Sequence, residues 1–182
     1  MSGFFGVEVW GNLFFRGKRR YFFIDLSPGF LLRIVIQRVK SAEVSVRGSK
    51  LSSIGKGFLV LVGIAQGDTA EDVRHAARKT AALRIMDDKN GKMNLDIIQT
   101  GGEVLSVSQF TLLADTRKGN RPGFSGAATP EHAMELWLVF NEELRRAGIT
   151  VEEGAFGEEM EVALVNDGPV TLVMGSAPFE GS

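Results

Sequence analysis

Three short segments of the chain contain polar side chains that could serve catalysis or ligand binding. Residues 108–111 (SQFT) place hydroxyl and amide groups at the end of an apolar run. Residues 117–121 (RKGNR) are basic and contain glycine, as expected of a flexible surface that contacts phosphates. Residues 166–169 (NDGP) break an apolar run with a proline, which has no N–H to give to a β-ladder. Each segment also has a purely structural interpretation: 108–111 as part of a packed core strand, 117–121 as a solvated loop, and 166–169 as an ordinary turn.

Several common catalytic chemistries are excluded by what the sequence lacks. It has no cysteine, so a thiolate nucleophile and a cysteine-ligated metal are ruled out. Its two histidines, His75 and His132, fall in predicted helices without a serine or carboxylate at triad spacing. The segment 87–91 (DDKNG) is too short for a calcium loop and is interpreted as a turn. No phosphate-binding glycine motif is present, so neither a metal nor a cofactor is predicted.

The composition is that of a soluble, globular, single-domain protein. Apolar residues make up 44% and charged residues 24% of the 182 positions. The formal charge of -1 is the sum of +2 in residues 1–31 (four basic, two acidic) and -3 in the remainder. Because the overall field is weak, any anionic partner must be bound by a local basic patch.

The hydrophobic pattern predicts strands, helix, strand, helix, strands. Strands are expected at 32–39, 43–48, 57–65, 101–114 and in the tail. One helix is expected to begin at Asp68, with Glu71 completing a capping box, and a second at Thr129, with Pro130 as its first residue and Gly148 as its end. Their predicted buried faces consist of Val73, Ala76, Ala77, Thr80 and Leu83, and of Ala133, Leu136, Trp137, Phe140 and Leu144. Two helices are too few for a doubly wound sheet, so an α/β fold of the α+β type is expected, with a curled, barrel-like, mostly antiparallel or mixed sheet covered by two helices.

Taken together and in order, these motifs closely resemble the D-aminoacyl-tRNA deacylase (D-Tyr-tRNA deacylase) family. The resemblance rests on SQFTL at 108–112, ADTRKGNRP at 114–122 and NDGPVT at 166–171. Supporting segments are IQRV at 36–39, GKGFLVLVG at 55–63, GKMNL at 91–95 and FGEEMEVALVNDGPVT at 156–171. The similarity spans roughly residues 32 to 174. It implies the D-aminoacyl-tRNA deacylase-like fold.

The resemblance also implies an activity, partners and a location. The reaction is hydrolysis of the ester between a D-amino acid, or mischarged glycine, and the terminal ribose of tRNA. The partners are the aminoacylated 3′ end of tRNA and a second copy of the chain, in a cytoplasmic homodimer that needs no cofactor and no membrane. The family's chemistry is assisted by the 2′-hydroxyl of the tRNA rather than by a side-chain base.

Site residues follow from the same resemblance. Pocket and backbone oxyanion contacts are assigned to Ser108, Gln109, Phe110 and Thr111, with Thr111 lining the pocket rather than acting as nucleophile because no base lies near it in sequence. Gly168 and Pro169 would form a cis peptide that enters the partner's site and excludes L-amino acids. Substrate contacts are assigned to Asn166, Asp167, Phe124 and Met160, and tRNA phosphate contacts to Arg117, Lys118 and Arg121.

Residues 1–31 differ in composition from the rest of the chain. Its basic cluster RGKRR follows the apolar part, which is not the order of a signal peptide. Family members begin at the position of Leu32, so residues 1–31 are expected to be an extension outside the fold, and 32–182 a single deacylase domain. Two other functions remain open: a non-catalytic dimeric RNA-binding module of the same fold, and an esterase for small D-amino acid esters.

Overall fold

The computed structural model describes residues 31–175, together with the backbone of Leu13–Phe14 and Tyr21–Asp25. Most of the expected extension, and the residues after Gly175, lie outside the described residues. The strands are β1 (Leu13–Phe14), β2 (Tyr21–Asp25), β3 (Arg33–Val46), β4 (Ser49–Ile54), β5 (Gly57–Gly63), β6 (Met86–Asp87), β7 (Met93–Leu95), β8 (Glu103–Ser108), β9 (Val151–Glu153) and β10 (Glu161–Gly175). The helices are α1 (Ala70–Ala81) and α2 (Pro130–Arg146), with a 3₁₀ helix at Phe110–Leu113.

Strand β3 is the hub of an eight-stranded mixed sheet. It pairs antiparallel with β10 on one side and with β5 and then β4 on the other. The order is β1-β2-β10-β3-β5-β8-β9, with β8 parallel to both β5 and β9, and β2 parallel to β10. The sheet is nearly closed, barrel-like and covered by two helices, which confirms the predicted α+β class.

Two apolar clusters form because side chains alternate between the faces of the sheet. On β5, Phe58, Val60 and Val62 point to the helices, whereas Leu59 belongs to the opposite cluster. The helix-side cluster holds the buried faces of α1 and α2. The smaller cluster also contains Val107 of β8, and Met160 packs against it.

Helix α2 is formed as predicted. The Thr129 hydroxyl accepts a hydrogen bond from the His132 N–H, Pro130 is the first residue, and Gly148, with φ of 88°, follows the last turn. All five predicted core residues of α2 are buried, and Asn141 is buried with them.

The start of α1 differs from the prediction. Thr69, not Asp68, is the N-cap, and the capping box joins Thr69 to Asp72 rather than to Glu71. The Asp68 carboxylate instead accepts backbone N–H groups of Leu32 and Ala65. Sequence spacing alone could not separate two adjacent residues that both cap helices well.

Three strand boundaries also differ from the prediction. Strand β3 runs unbroken through the two strands expected at 32–39 and 43–48, because β10 pairs along both parts. Strand β8 ends at Ser108, and the 3₁₀ helix replaces the rest of the predicted strand. Residues 166–169 do not form a turn between two paired strands, because both halves of β10 pair with the same partner, β3.

We predict that Phe140→Ala destabilises the protein by about 3–5 kcal/mol, since truncating a fully buried aromatic side chain leaves a cavity. Chemical denaturation measures the loss. Met134→Ala is the control on the same helix: Met134 is 45% exposed, and its truncation should change stability by less than about 0.5 kcal/mol. Equal losses in the two variants would contradict the packing described for α2.

Candidate active site

A pocket of about 570 Å³ opens where β8 ends. Its wall is built from the start of the 3₁₀ helix, the segment leading into α2, the loop after β9 and the beginning of strand β10. The lining residues are Val107, Ser108, Gln109, Phe110, Phe124, Ala127, Ala128, Pro130, Ala133, Phe156, Gly157, Glu158, Met160 and Val162. Five predicted site residues are therefore brought together here: Ser108, Gln109, Phe110, Phe124 and Met160.

The change from strand β8 to the 3₁₀ helix determines which hydrogen-bonding groups of residues 108–111 (SQFT) are already paired within the protein. The Gln109 backbone N–H extends the sheet by donating to the Val62 carbonyl at 2.7 Å. The Gln109 side-chain amide donates to the Thr111 hydroxyl. Since the first N–H groups of a helix have no partner within it, those of Phe110 and Thr111 make no hydrogen bond inside the 3₁₀ helix. The Thr111 side chain is exposed and is not part of the pocket lining.

Aromatic rings form two sides of the pocket. Phe110 and Phe124 meet edge to face, with ring centroids 5.0 Å apart and an interplanar angle of 69°. Phe156 packs on Trp137 at 5.9 Å, and the Trp137 indole N–H donates to the Ser106 hydroxyl at 2.8 Å. Sequence reasoning missed Phe156, although it lies in a segment that carries the family resemblance.

The pocket lining offers little acid–base chemistry. Of the residues that line it, Glu158 is the one ionisable side chain, and it pairs with Arg47 at 3.4 Å. Within residues 31–175, no group of three or more His, Cys, Asp or Glu side chains is placed to hold a metal ion. No helix in the described part of the chain is long and apolar enough to cross a membrane.

The NDGP segment begins a bulge on β10, in which residues 167–170 stand opposite a single residue of β3. Asn166 pairs with Val39 and Thr171 with Gln37, so residues 167–170 all face Arg38. The Gly168–Pro169 peptide bond is cis. Because Gly168 and Pro169 fall outside the register of the ladder and are exposed, their carbonyl groups are not used by the sheet.

Arg38 holds this bulge from beneath, a role that sequence reasoning missed. Its side chain is 6% exposed, and the guanidinium donates to the Asp167 carbonyl at 3.2 Å, to the Ile85 carbonyl at 2.7 Å and to the Asp87 carboxylate at 2.9 Å. The Asp167 carboxylate lies 3.4 Å from the same guanidinium. Arg38 therefore ties the bulge to the β6–β7 hairpin. The only sequence signal was a charged residue within the buried strand IQRV.

Asn166 and Gly168 give the bulge its shape. The Asn166 amide donates to the Arg38 carbonyl at 2.8 Å and to the Val170 carbonyl at 3.1 Å, closing the base of the bulge. Gly168 has φ of 118°, and a Cβ there would lie 2.8 Å from Val170 Cγ2 and 3.1 Å from Arg38 Nη2. Glycine is thus required at 168 both for its backbone conformation and for space.

The bulge does not reach the pocket of its own chain. None of residues 166–169 lines the pocket, whereas Val162, near the start of the same strand, does. Val162 pairs with Val44, which lies six residues along β3 from Arg38, or about 20 Å at the rise of a β-strand.

The RKGNR segment is a closed loop. Asp115 and Gly123 exchange backbone hydrogen bonds of 2.8 and 2.9 Å at its base. The Asp115 carboxylate accepts two hydrogen bonds from the Arg117 guanidinium, at 2.9 and 2.7 Å, and this contact holds the pKa of Asp115 well below its usual range. Lys118 and Arg121 are exposed at the loop tip.

The chain matches a known family over most of its length. The model of the family described as D-Tyr-tRNA(Tyr) deacylase matches residues 35–175. The chain is 51% identical over 151 residues to a D-aminoacyl-tRNA deacylase of Geobacillus sp. (strain WCH70), covering 83% of this chain and 99% of that protein. It is 50% identical over 151 residues to a D-aminoacyl-tRNA deacylase of Thermus aquaticus, with the same coverage.

Solved structures are similar as well. A c-Myc DNA unwinding element binding protein superposes with a TM-score of 0.75 at 39% identity, covering 80% of this chain and 99% of the other. A probable eukaryotic D-amino acid tRNA deacylase superposes with a TM-score of 0.70 at 18% identity, covering 79% and 98%. The second likeness is one of fold.

We predict that Arg38→Met lowers stability by about 2–4 kcal/mol, since it leaves two carbonyls and two carboxylates without their shared donor. Denaturant titration measures the loss. Lys50→Met is the control, because it breaks an exposed ion pair with Glu43 and should cost less than about 1 kcal/mol. If Arg38→Met were as mild as Lys50→Met, the guanidinium would not be what supports the bulge.

Proposed function

The chain belongs to the D-Tyr-tRNA(Tyr) deacylase family, whose members hydrolyse the aminoacyl ester of tRNA, and on that premise we propose how its pocket selects and cleaves the substrate. The substrate is D-aminoacyl-tRNA, with mischarged glycyl-tRNA as a second class. The 3′-terminal adenosine and the amino acid enter the pocket at the end of β8. A Gly168–Pro169 bulge from a second copy of the chain completes it.

The observation that carries the proposal is the absence of a usable base among the residues that line the pocket. The one ionisable lining residue, Glu158, faces Arg47. An aminoacyl ester is already activated, and the terminal ribose supplies a vicinal 2′-hydroxyl next to the scissile bond. The RNA therefore provides the group that assists water attack, and the protein provides position and electrostatic stabilisation.

Backbone N–H groups are the proposed oxyanion donors. The Gln109 N–H is already bound to Val62, so the donors are those of Phe110 and Thr111 at the start of the 3₁₀ helix. Ser108 and the Gln109 side chain shape the pocket floor. Thr111 supports the site through its contact with the Gln109 amide and does not act as nucleophile.

Aromatic residues are the proposed contacts of the adenosine and the amino acid. Phe110 and Phe124 present an edge-to-face pair at the pocket rim, and a base can stack against such rings. Met160 supplies a polarizable wall that adapts to different side chains. This arrangement suits an enzyme that accepts many D-amino acids.

Chirality is the proposed task of the bulge. Gly168 and Pro169 expose carbonyl groups that the sheet does not use, on a backbone fixed by Arg38 and Asn166, with Asp167 held beside them. Rigid carbonyls beside the α-carbon would clash with an L side chain and leave room for hydrogen or a D side chain. Because the filter is backbone, it works whichever amino acid is attached.

The distance between the bulge and its own pocket supports a homodimer. The bulge is about 20 Å along the strand from Val162, so it can complete only a pocket in another molecule. The strand between them exposes Val162 at 37% and Val165 at 53%. A two-fold arrangement that covers these apolar residues would place each bulge in the partner's pocket. The cytoplasm, where tRNA is aminoacylated, is the proposed location.

We predict that the full chain deacylates D-tyrosyl-tRNA and spares L-tyrosyl-tRNA. Replacing the terminal 2′-hydroxyl of the D substrate by hydrogen should lower the single-turnover rate by about 100- to 10,000-fold, the usual contribution of proton transfer by a positioned group. Release of labelled amino acid measures both comparisons. D-Tyrosine methyl ester is the control, and it should be a poor substrate.

Four outcomes would contradict this proposal in different ways. Equal cleavage of the D and L substrates would remove the chirality filter. Full activity on the 2′-deoxy substrate would remove RNA assistance. Efficient cleavage of the methyl ester would favour an esterase that needs no tRNA, and tRNA binding without any cleavage would favour a non-catalytic RNA-binding module.

We predict that Lys118 and Arg121, rather than Arg117, contact tRNA phosphates, because Arg117 is bound to Asp115. The double variant Lys118→Ala/Arg121→Ala should reduce the slope of log binding constant against log salt by about 1.4–1.8, as expected for two lost phosphate contacts. Arg117→Ala is the matched control and should leave the slope nearly unchanged. The reverse pattern would assign the contact to Arg117.

A further inference from the structure

We propose that the Asp68 carboxylate is a binding site for the free α-ammonium group of a chain that begins at residue 32. The proposal concerns the surroundings of the Leu32 nitrogen. It is independent of the tRNA chemistry.

Asp68 is a buried carboxylate aimed at the main chain of residues 31 and 32. The residue is 4% exposed. Its Oδ1 accepts hydrogen bonds from the N–H of Leu32 at 2.9 Å and of Leu31 at 3.1 Å. Its Oδ2 accepts one from the Ala65 N–H at 2.6 Å. Three neutral donors therefore surround one buried acidic group.

This carboxylate has no cation beside it in the part of the chain that the structure describes. The charged neighbour that acts on it is Asp72, another carboxylate; burial, together with this like charge, raises the pKa of Asp68. The ring of His132 on α2 contacts the main-chain carbonyl of Asp68 at 3.1 Å rather than its carboxylate. Buried carboxylates are ordinarily paired with a cation, so the site is short of one positive charge.

Residue 32 is where the missing charge would arise. The Leu32 side chain is fully buried and Arg33 starts β3, so the fold itself holds the Leu32 nitrogen 2.9 Å from Oδ1. If the chain began there, that nitrogen would be an ammonium group. The donor would then carry a positive charge, and its hydrogen bond to the carboxylate would become an ion pair. Leu31 is 50% exposed, so removing it leaves the new terminus open to water on its other side.

The lengths of the relatives agree with this proposal. The Geobacillus and Thermus proteins align over 151 residues that make up 99% of each, so they have no counterpart to about 31 of the 182 residues here. A chain from residue 32 onward is therefore a reasonable unit to express.

The proposed ion pair would stabilise one wall of the pocket. Asp68 ends a loop in which Ala65 forms a bridge with Ala127, and the Gln66 N–H donates to the Gly126 carbonyl at 3.0 Å. Ala127 lines the pocket. Joining the terminus of β3 to this loop holds the sheet and the pocket wall together at one point.

The test compares the full chain with a chain that starts at residue 32 as Leu32→Met, each with and without Asp68→Asn. Asparagine keeps one neutral acceptor oxygen and loses the other in both chains alike, so the difference between the two chains isolates the charge. We expect Asp68→Asn to raise the unfolding equilibrium constant of the short chain about tenfold more than that of the full chain, because only the short chain loses an ion pair with a positively charged donor. Denaturant titration at a pH of about 6.5, below the usual pKa of an α-amino group, measures both.

A second readout follows the terminal amine itself. In the short chain the carboxylate should raise the pKa of the α-ammonium above its usual range of about 7.7–8.0. Since the folded-state pKa is raised, the extra stability is present below that range and is lost as pH rises through the raised value. Nitrogen-15 NMR of the terminal amine gives the pKa, and selective acetylation of that amine should remove the extra stability only where Asp68 is present.

Three results would overturn the proposal. One is an equal effect of Asp68→Asn in the two chains together with a terminal amine of ordinary pKa. Another is a short chain that does not fold. The third is an acetylated short chain that is as stable as the free one. None of these readouts depends on deacylation, so failure of the proposed function would be recognised separately.

Discussion

The pairing of β10 with β3 is the constraint on which the rest of the structure depends. It is the longest interface between strands in the described part of the chain, and it is kept although four residues of β10 stand opposite one residue of β3. The pairing is retained because the Arg38 guanidinium supplies the hydrogen-bond donors that the bulge residue Asp167 needs. Without a planar group that donates in several directions, this buried position could not hold Asp167, Ile85 and Asp87 at once.

Strand β10 carries a pocket residue and the bulge at two separate places. Val162, near its start, lines the pocket of its own chain, and none of the bulge residues 166–169 does so. A rigid strand is a suitable support for the proposed chirality filter, because a backbone fixed on both sides cannot move away from a bulky side chain. The separation of bulge and pocket along β10 is what supports the proposed dimer.

The residues that line the pocket include a single ionisable side chain, Glu158. Aromatic and aliphatic side chains form most of its wall, and the change from β8 to a 3₁₀ helix leaves backbone N–H groups at its edge. Such a site can orient an ester and stabilise developing negative charge, but it has little means of moving a proton. That limitation fits a substrate that brings an activated bond and its own hydroxyl.

Much of this protein is determined by the sequence alone. The faces of both helices, the cap at Thr129, the mixed sheet and the family could be predicted, because periodicity, capping and ordered motifs are local properties of the chain. The end of β8 at Ser108 and the unbroken β10 could not, since each depends on a partner distant in sequence. The α1 cap could not either, since the adjacent residues Asp68 and Thr69 both cap helices well. Arg38 is the clearest case. In the sequence it is one charged residue in an apolar run, and its role arises only where Asp87 and Asp167, 49 and 129 residues away, meet it.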